Sequence, residues 1–396
     1  MNTERLSVKP VLLRWARETA GLSLEQAAEK TGIRRKTLHQ WEELGGYPTP
    51  SQLEKIADKY HRPSAAFFLP DLPPKPSVST DFRRYSAHRG NRVGPSTLLA
   101  LRRARWLQRT FIDISDNLLR TNGKYFALRA RVADNTTAVA WEARSLLGLA
   151  VEEQLKWKDP GRALREWRNK LGSLGILVFQ FRIAAEDRVR GFSLDGEVPV
   201  IALRSGDTAT GRVFTLFHEL GHILLARPGL CDPEEARARA ARRTNAAEEA
   251  RIEAFCDKFS GDFLVPSRAL LEQPEVIEYQ QGKSDLVVLV EKGAHKFSVS
   301  RLMFLRRMHD EGIVPTNLYW SLFSKWTKAG PRRQPSGGFS SPPTKTLGEL
   351  GSTFVNRVLS ALDGGAITYS DVADYLSLRL KHVDRLRELL PGEASA

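Results

Sequence analysis

Two proline-rich stretches interrupt an otherwise helix-forming sequence, and they constrain the fold more than any other feature. Between Pro70 and Pro76, prolines at 70, 73, 74 and 76 remove amide donors and hold the backbone extended, which marks a linker. From about Ala329 to Lys345, Pro331, Pro335, Gly337, Gly338, Pro342 and Pro343 accompany too few large apolar residues to pack. The 396 residues are therefore expected to divide into a small helical domain at 1–72, a proline-rich linker and extended segment at 73–96, and a large domain at 97–328. A flexible linker at 329–346 and a helical tail at 347–396, whose residues name no chemistry, complete the chain. No repeat of fixed period is present, which excludes solenoids. No run approaches the roughly 18–20 apolar residues of a membrane span, and the N-terminus MNTERLSVKP lacks the apolar core of a signal peptide. A cytoplasmic chain with no membrane partner is the expectation. Cys231 and Cys256 are too few for a disulfide framework and are read as free thiols.

In the first piece Val11, Leu12, Trp15 and Ala16 share one helical face, Gly21 stops that helix, and Ser23 with Gln26 has the spacing of a capping box. Ala28 is small enough to let two helices approach, and Gly32 can take the turn conformation between them. Leu38 and Trp41 then form the apolar underside of a third helix. That turns Arg34, Arg35, Lys36, Thr37, His39 and Gln40 outward, as donors suited to phosphates and major-groove base edges. This segment resembles the phage-repressor (XRE) helix-turn-helix, including Pro50, Leu53, Ile56 and Ala57 on a fourth helix. The resemblance implies an all-α DNA-binding domain, and the half-site habit of such modules admits a homodimer. Arg34 stands where a small capping residue is more usual, which adds charge and weakens the N-cap. An excess of 60 Lys+Arg over 46 Asp+Glu, a formal charge of +14, agrees with a polyanionic partner.

The middle piece alternates differently. Thr97 to about Leu119, Ala138 to Leu149 and Leu164 to Leu171 read as helices, whereas Gly175–Phe181 and Val198–Leu203 read as strands. Pro199 suits the start of an edge strand, along which an extended peptide could align by β-addition. From about Gly211 the chain returns to helix and reaches Phe217-His218-Glu219-Leu220-Gly221-His222, an H-E-x-x-H. Two histidines four apart project from one helical face and can bind one zinc ion, with Glu219 placed to take a proton from water. In a chain with eight histidines this pattern arises by chance on the order of once in a hundred such sequences.

Hydrolytic zinc sites use three protein ligands and leave a position open. The third is sought in Glu253-Ala254-Phe255-Cys256-Asp257, on a helix that buries Phe255, Phe259 and Phe263. Glu253 is placed to ligate, and Asp257 one turn on can accept the spare N–H of His218 or His222. H-E-x-x-H followed by E-x-x-x-D is the gluzincin arrangement. Asp232, Glu248, Asp262 and Cys256 are competing ligands nearby.

Residues 212–266, from Arg212-Val213-Phe214 through H-E-x-x-H and Glu253 to Phe263-Leu264-Val265-Pro266, resemble the ImmA/IrrE metallopeptidases. The resemblance takes in the helix-turn-helix, Asp81-Phe82-Arg83, Gly191-Phe192-Ser193 and Phe297-Ser298-Val299-Ser300, and so covers roughly residues 8–325. Arg204 stands where it implies Asn. It implies a mainly α protein with a small α+β zincin-like (gluzincin) peptidase core. It also implies a bacterial zinc endopeptidase that cleaves a helix-turn-helix repressor, encoded nearby, and so controls a mobile-element or stress operon. Tyr319, His295 and Arg212 are candidate donors to an oxyanion. A transcription regulator or antitoxin-like protein whose zinc domain is sensory or structural is the alternative, and an intact Glu219 argues against it.

Overall fold

The computed structural model describes residues 5–73, 82–84, 94–115, 128–187, 189–225, 246–328 and 340–390. The linker residues 74–81, Cys231, Asp232, the side chain of Glu248 and the loop residues 329–339 lie outside them. Two compact units emerge, one of Met1–Val78, Tyr85–Arg103 and Ile183–Val189, the other of Ser79–Arg84, Ala104–Arg182 and Arg190–Ala396. Among the described residues no helix is long and apolar enough to cross a membrane.

The first unit begins with α1 (Pro10–Thr19), α2 (Leu24–Thr31), α3 (Arg35–Glu43) and α4 (Pro50–Tyr60). The expected capping box forms: Ser23 Oγ accepts from the Gln26 amide, and Gln26 Oε1 accepts from the Ser23 amide. Gly32 caps α2 at φ +69°, the left-handed turn that lets α3 double back. Leu12, Leu38, Leu53 and Ile56 are buried. Arg17 grips Glu42 with two 2.7 Å hydrogen bonds between α1 and α3, at 12% and 4% side-chain exposure. The Glu42 bond holds Arg17 above its ordinary pKa against the opposing effect of burial. Glu42→Ala is expected to destabilise this unit by about 3–5 kcal/mol, because it strands a guanidinium out of water. Urea unfolding checks this, and a loss under about 1 kcal/mol contradicts it.

The second unit is mainly helical around a small mixed sheet. Its elements are β1 (Phe82–Arg84), the end of α5 (Pro95–Asp113), α6 (Thr136–Leu146), α7 (Val151–Leu155), α8 (Pro160–Ser173), β2 (Leu177–Phe181), β3 (Val189–Leu194) and β4 (Val200–Arg204). After them come α9 (Ala209–Leu225), α10 (Ala246–Leu264), α11 (Ser267–Leu271), α12 (Pro274–Gln280), α13 (Leu286–Lys296), α14 (Arg301–Asp310) and α15 (Thr316–Lys328). α9, rich in apolar residues on all sides, runs through the core, where Trp167 meets Phe217 and Phe263 edge-on and Phe217 stacks on Phe263 at 4.1 Å.

The sheet corrects one expectation. Its strand order is β1-β3-β4-β2, so β4, read from Pro199 as an edge strand, lies inside the sheet. It pairs parallel with β2 and antiparallel with β3. Pro199 precedes the strand, so its missing N–H is not required by either ladder, and its carbonyl accepts from the Leu177 amide at 2.9 Å.

The C-terminal residues fold onto this unit as α16 (Pro342–Asp363), α17 (Tyr369–Leu376) and α18 (Val383–Leu389), with a kink in α16 at Gly351. Buried Arg168 donates to the carbonyls of Val178 (2.7 Å) and Gly348 (2.8 Å), so a guanidinium sits at the C-terminal end of the first half of α16. Phe354 packs against Phe179 and Phe111. The tail therefore covers β2.

Candidate metal centre

α9 and α10 build the site together. On α9, His218, Glu219 and His222 are all buried, Glu219 completely. Across from them Gly221 touches α10 so closely that a Cβ there would stand 3.1 Å from Cys256 Sγ and 3.2 Å from Cys256 Cα. That contact lets Glu253, one turn before Cys256, reach both histidines.

The three side chains converge, with the two carboxylate oxygens of Glu253 facing one imidazole each. His218 Nε2 lies 3.2 Å from His222 Nε2 and 3.2 Å from Glu253 Oε2, and His222 Nε2 lies 3.3 Å from Glu253 Oε1. Ligands about 2.0 Å from a tetrahedral ion stand about 3.3 Å apart, so each of these separations is one that a pair of zinc ligands shows. The donor chemistry agrees. Asp257 Oδ1 lies 2.8 Å from His218 Nδ1, which fixes the proton there and turns the Nε2 lone pair toward the carboxylate of Glu253. Lone pair facing carboxylate is repulsive unless a proton or a metal ion lies between them. Among the described residues these three make the one cluster of His, Cys, Asp and Glu that could hold a metal ion.

Charge around the centre also favours a cation. Burial pulls the His222 pKa down, but hydrogen bonds to Cys256 and Glu253 and the nearby Glu219 outweigh it and raise the group to about 12. Glu253 is held far below the usual carboxylate range by His218 and His222, despite burial. Below its raised pKa the metal-free protein keeps a proton on His222, and a metal must displace it. Zinc affinity is expected to rise about tenfold per pH unit between pH 6 and 8, with one proton released per zinc, in calorimetric titrations run in buffers of different ionisation enthalpy. A pH-independent affinity contradicts this.

The remaining expectations separate cleanly. Asp262 is engaged elsewhere, with Arg307 at 2.9 Å, Lys258 at 3.0 Å and Thr136 at 2.6 Å. Cys256 is fully buried, which pushes its thiol up and disfavours a thiolate ligand. Tyr319 is buried in a helical stack against His309, Trp320 and Phe323, and His295 is exposed on α13, so neither is drawn into the cluster. Arg212 donates to Gln180. Sequence spacing missed Ser193 on β3, whose hydroxyl donates to Glu219 Oε2 at 3.0 Å. Only the resemblance touched that residue, since β3 has no spacing rule linking it to α9.

In the first unit Arg34 is the uncapped N-cap of α3, and Arg35, Lys36, His39 and Gln40 are exposed, with Thr37 half-buried. Arg35 pairs with Glu25 at 2.6 Å on this open face.

The fold and site define a metallopeptidase-type domain behind a helix-turn-helix. Residues 171–309 match the IrrE N-terminal-like domain, Peptidase_M78, and residues 13–67 match the helix-turn-helix family HTH_3. These two matches, in this order along the chain, are the arrangement of an ImmA/IrrE-type peptidase domain with an N-terminal XRE-type helix-turn-helix, and they support both a metallopeptidase-type enzyme and DNA binding. No curated protein and no solved structure matches it.

Proposed function

We propose that this chain is a DNA-binding, zinc-dependent endopeptidase that cleaves a helix-turn-helix repressor or another regulatory protein, and thereby controls transcription of a mobile-element or stress operon. The observation that carries the reading is the convergence of His218, His222 and Glu253, their Nε2 and carboxylate oxygen atoms 3.2–3.3 Å apart, with Glu219 buried beside them. His218, His222 and Glu253 would hold zinc, and Asp257 would orient His218. Bound there, zinc would supply Lewis acidity to a scissile carbonyl and acidify water. Glu219, oriented by Ser193, would accept the proton of the attacking water and return it to the leaving amine. Arg34, Arg35, Lys36, Thr37, His39 and Gln40 would meet DNA, as a monomer or a homodimer, and bring the peptidase to a promoter-bound substrate.

The test is incubation of the zinc-loaded chain with small helix-turn-helix repressors encoded by neighbouring genes. Cleavage that a chelator stops and zinc restores supports the reading. A chain that takes up no zinc under metal-replete conditions overturns it and leaves a DNA-binding regulator. Asp257→Asn is expected to weaken zinc about 10–100-fold in competition with a chromophoric chelator, since the amide orients His218 without its charge.

A further inference from the structure

β3 is the strand beside the catalytic carboxylate. Ser193 on it donates to Glu219, and at Gly191 it lies so near α9 that a Cβ there would come within 2.6 Å of Thr215 Cγ2. One edge of β3 is taken by β4, in antiparallel register from Gly191–Leu203 to Leu194–Val200. The other edge is the one an extended peptide would need in order to add a strand next to Glu219. That edge is held by β1, Phe82–Arg84, which stands in the sequence between the helix-turn-helix and the peptidase core.

The fit is partial. β1 has three residues against six in β3, so it makes only a few ladder hydrogen bonds, each largely balanced by hydrogen bonds to water when released. An edge occupied by so short a strand is still a template for another chain. We propose that the outer edge of β3 is the docking site for an extended, proline-free peptide segment of the substrate, and that residues 82–84 occupy it as an internal stand-in which substrate displaces. This rests on the peptidase reading above. Because the stand-in is part of the same chain, it competes intramolecularly, so weakly pairing peptides are turned away.

The experiment uses the zinc-loaded full chain and a fluorescein-labelled peptide, STDFRRYSA, identical to residues 79–87. Two variants release the edge: Arg83→Pro, and replacement of residues 82–84 by Gly-Ser-Gly. Both are expected to bind the peptide at least tenfold more tightly than wild type by fluorescence anisotropy. Equal binding, or no binding by variants that keep their zinc, overturns the proposal. Amide exchange of the unmodified chain decides independently, including where a variant loses its zinc. The β3 amides not bonded to β4 should exchange through local opening, at least a hundredfold faster than those of β4, and exchange of both at one global rate overturns the assignment. The peptide readout needs no turnover. A chain that binds zinc and peptide but cuts nothing would sink the peptidase reading and leave the edge assignment standing.

Discussion

Glu219→Gln is expected to keep about one zinc per chain while lowering cleavage about 10²–10⁴-fold, and Glu253→Ala is expected to lose the metal. The contrast follows from where each carboxylate sits. Glutamine fills the volume of Glu219, and its carbonyl can still accept the Ser193 hydroxyl, now 3.0 Å from Oε2, so the buried pocket is preserved. What it cannot do is take a proton from water. Glu253 instead is the third member of the cluster, its two carboxylate oxygens lying 3.2 and 3.3 Å from the two Nε2 atoms, and its removal leaves two histidines with no third donor. Elemental analysis of metal and a timed cleavage assay on the same preparations separate the two roles. Retained activity in Glu219→Gln would remove it as the base, and retained zinc in Glu253→Ala would mean that another side chain completes the site.

The helical half of the centre was legible in the sequence because helix geometry is local. Four-residue spacing puts His218 and His222 on one face whatever surrounds them, and the buried phenylalanines at 255, 259 and 263 orient α10 in the same way. The same holds for the capping box at Ser23 and Gln26 and for the outward residues of α3. Strand order was not legible. Pro199 biases β4 toward an edge, but order depends on which strands later elements bring alongside, and a proline just outside the ladder costs it nothing. Ser193 was hidden for the same reason, since its partner lies 26 residues away across a sheet-to-helix contact. The tail illustrates a third limit. Its apolar spacing foretold helices, yet the anchor that seats them is a buried arginine, Arg168, which binds carbonyls rather than a carboxylate and so leaves no charge pair to find.

Those limits bear on how the site is held. α9 carries two of the proposed ligands and the proposed base, but the third proposed ligand and the aspartate beside His218 belong to α10, and where the two helices meet stands Gly221, a residue without a side chain. Gly221→Val is therefore expected to weaken zinc binding about 10–100-fold although it replaces neither ligand nor base. A single added Cβ would already meet the backbone and thiol of Cys256 at 3.1–3.2 Å, so α10 must yield by a few tenths of an ångström, and the two further methyls of valine demand more. Metal ligands tolerate about ±0.2 Å, which the cluster would exceed as Glu253 moves with its helix. Overpacking of this kind also costs about 1–3 kcal/mol of stability, so the zinc titration is read beside urea unfolding of the metal-free protein. Gly221→Ala should fall between wild type and valine in zinc affinity. If the valine variant binds zinc as wild type does, the close approach at Gly221 is not what sets the position of Glu253, and the geometry of the centre must be fixed from another part of α10.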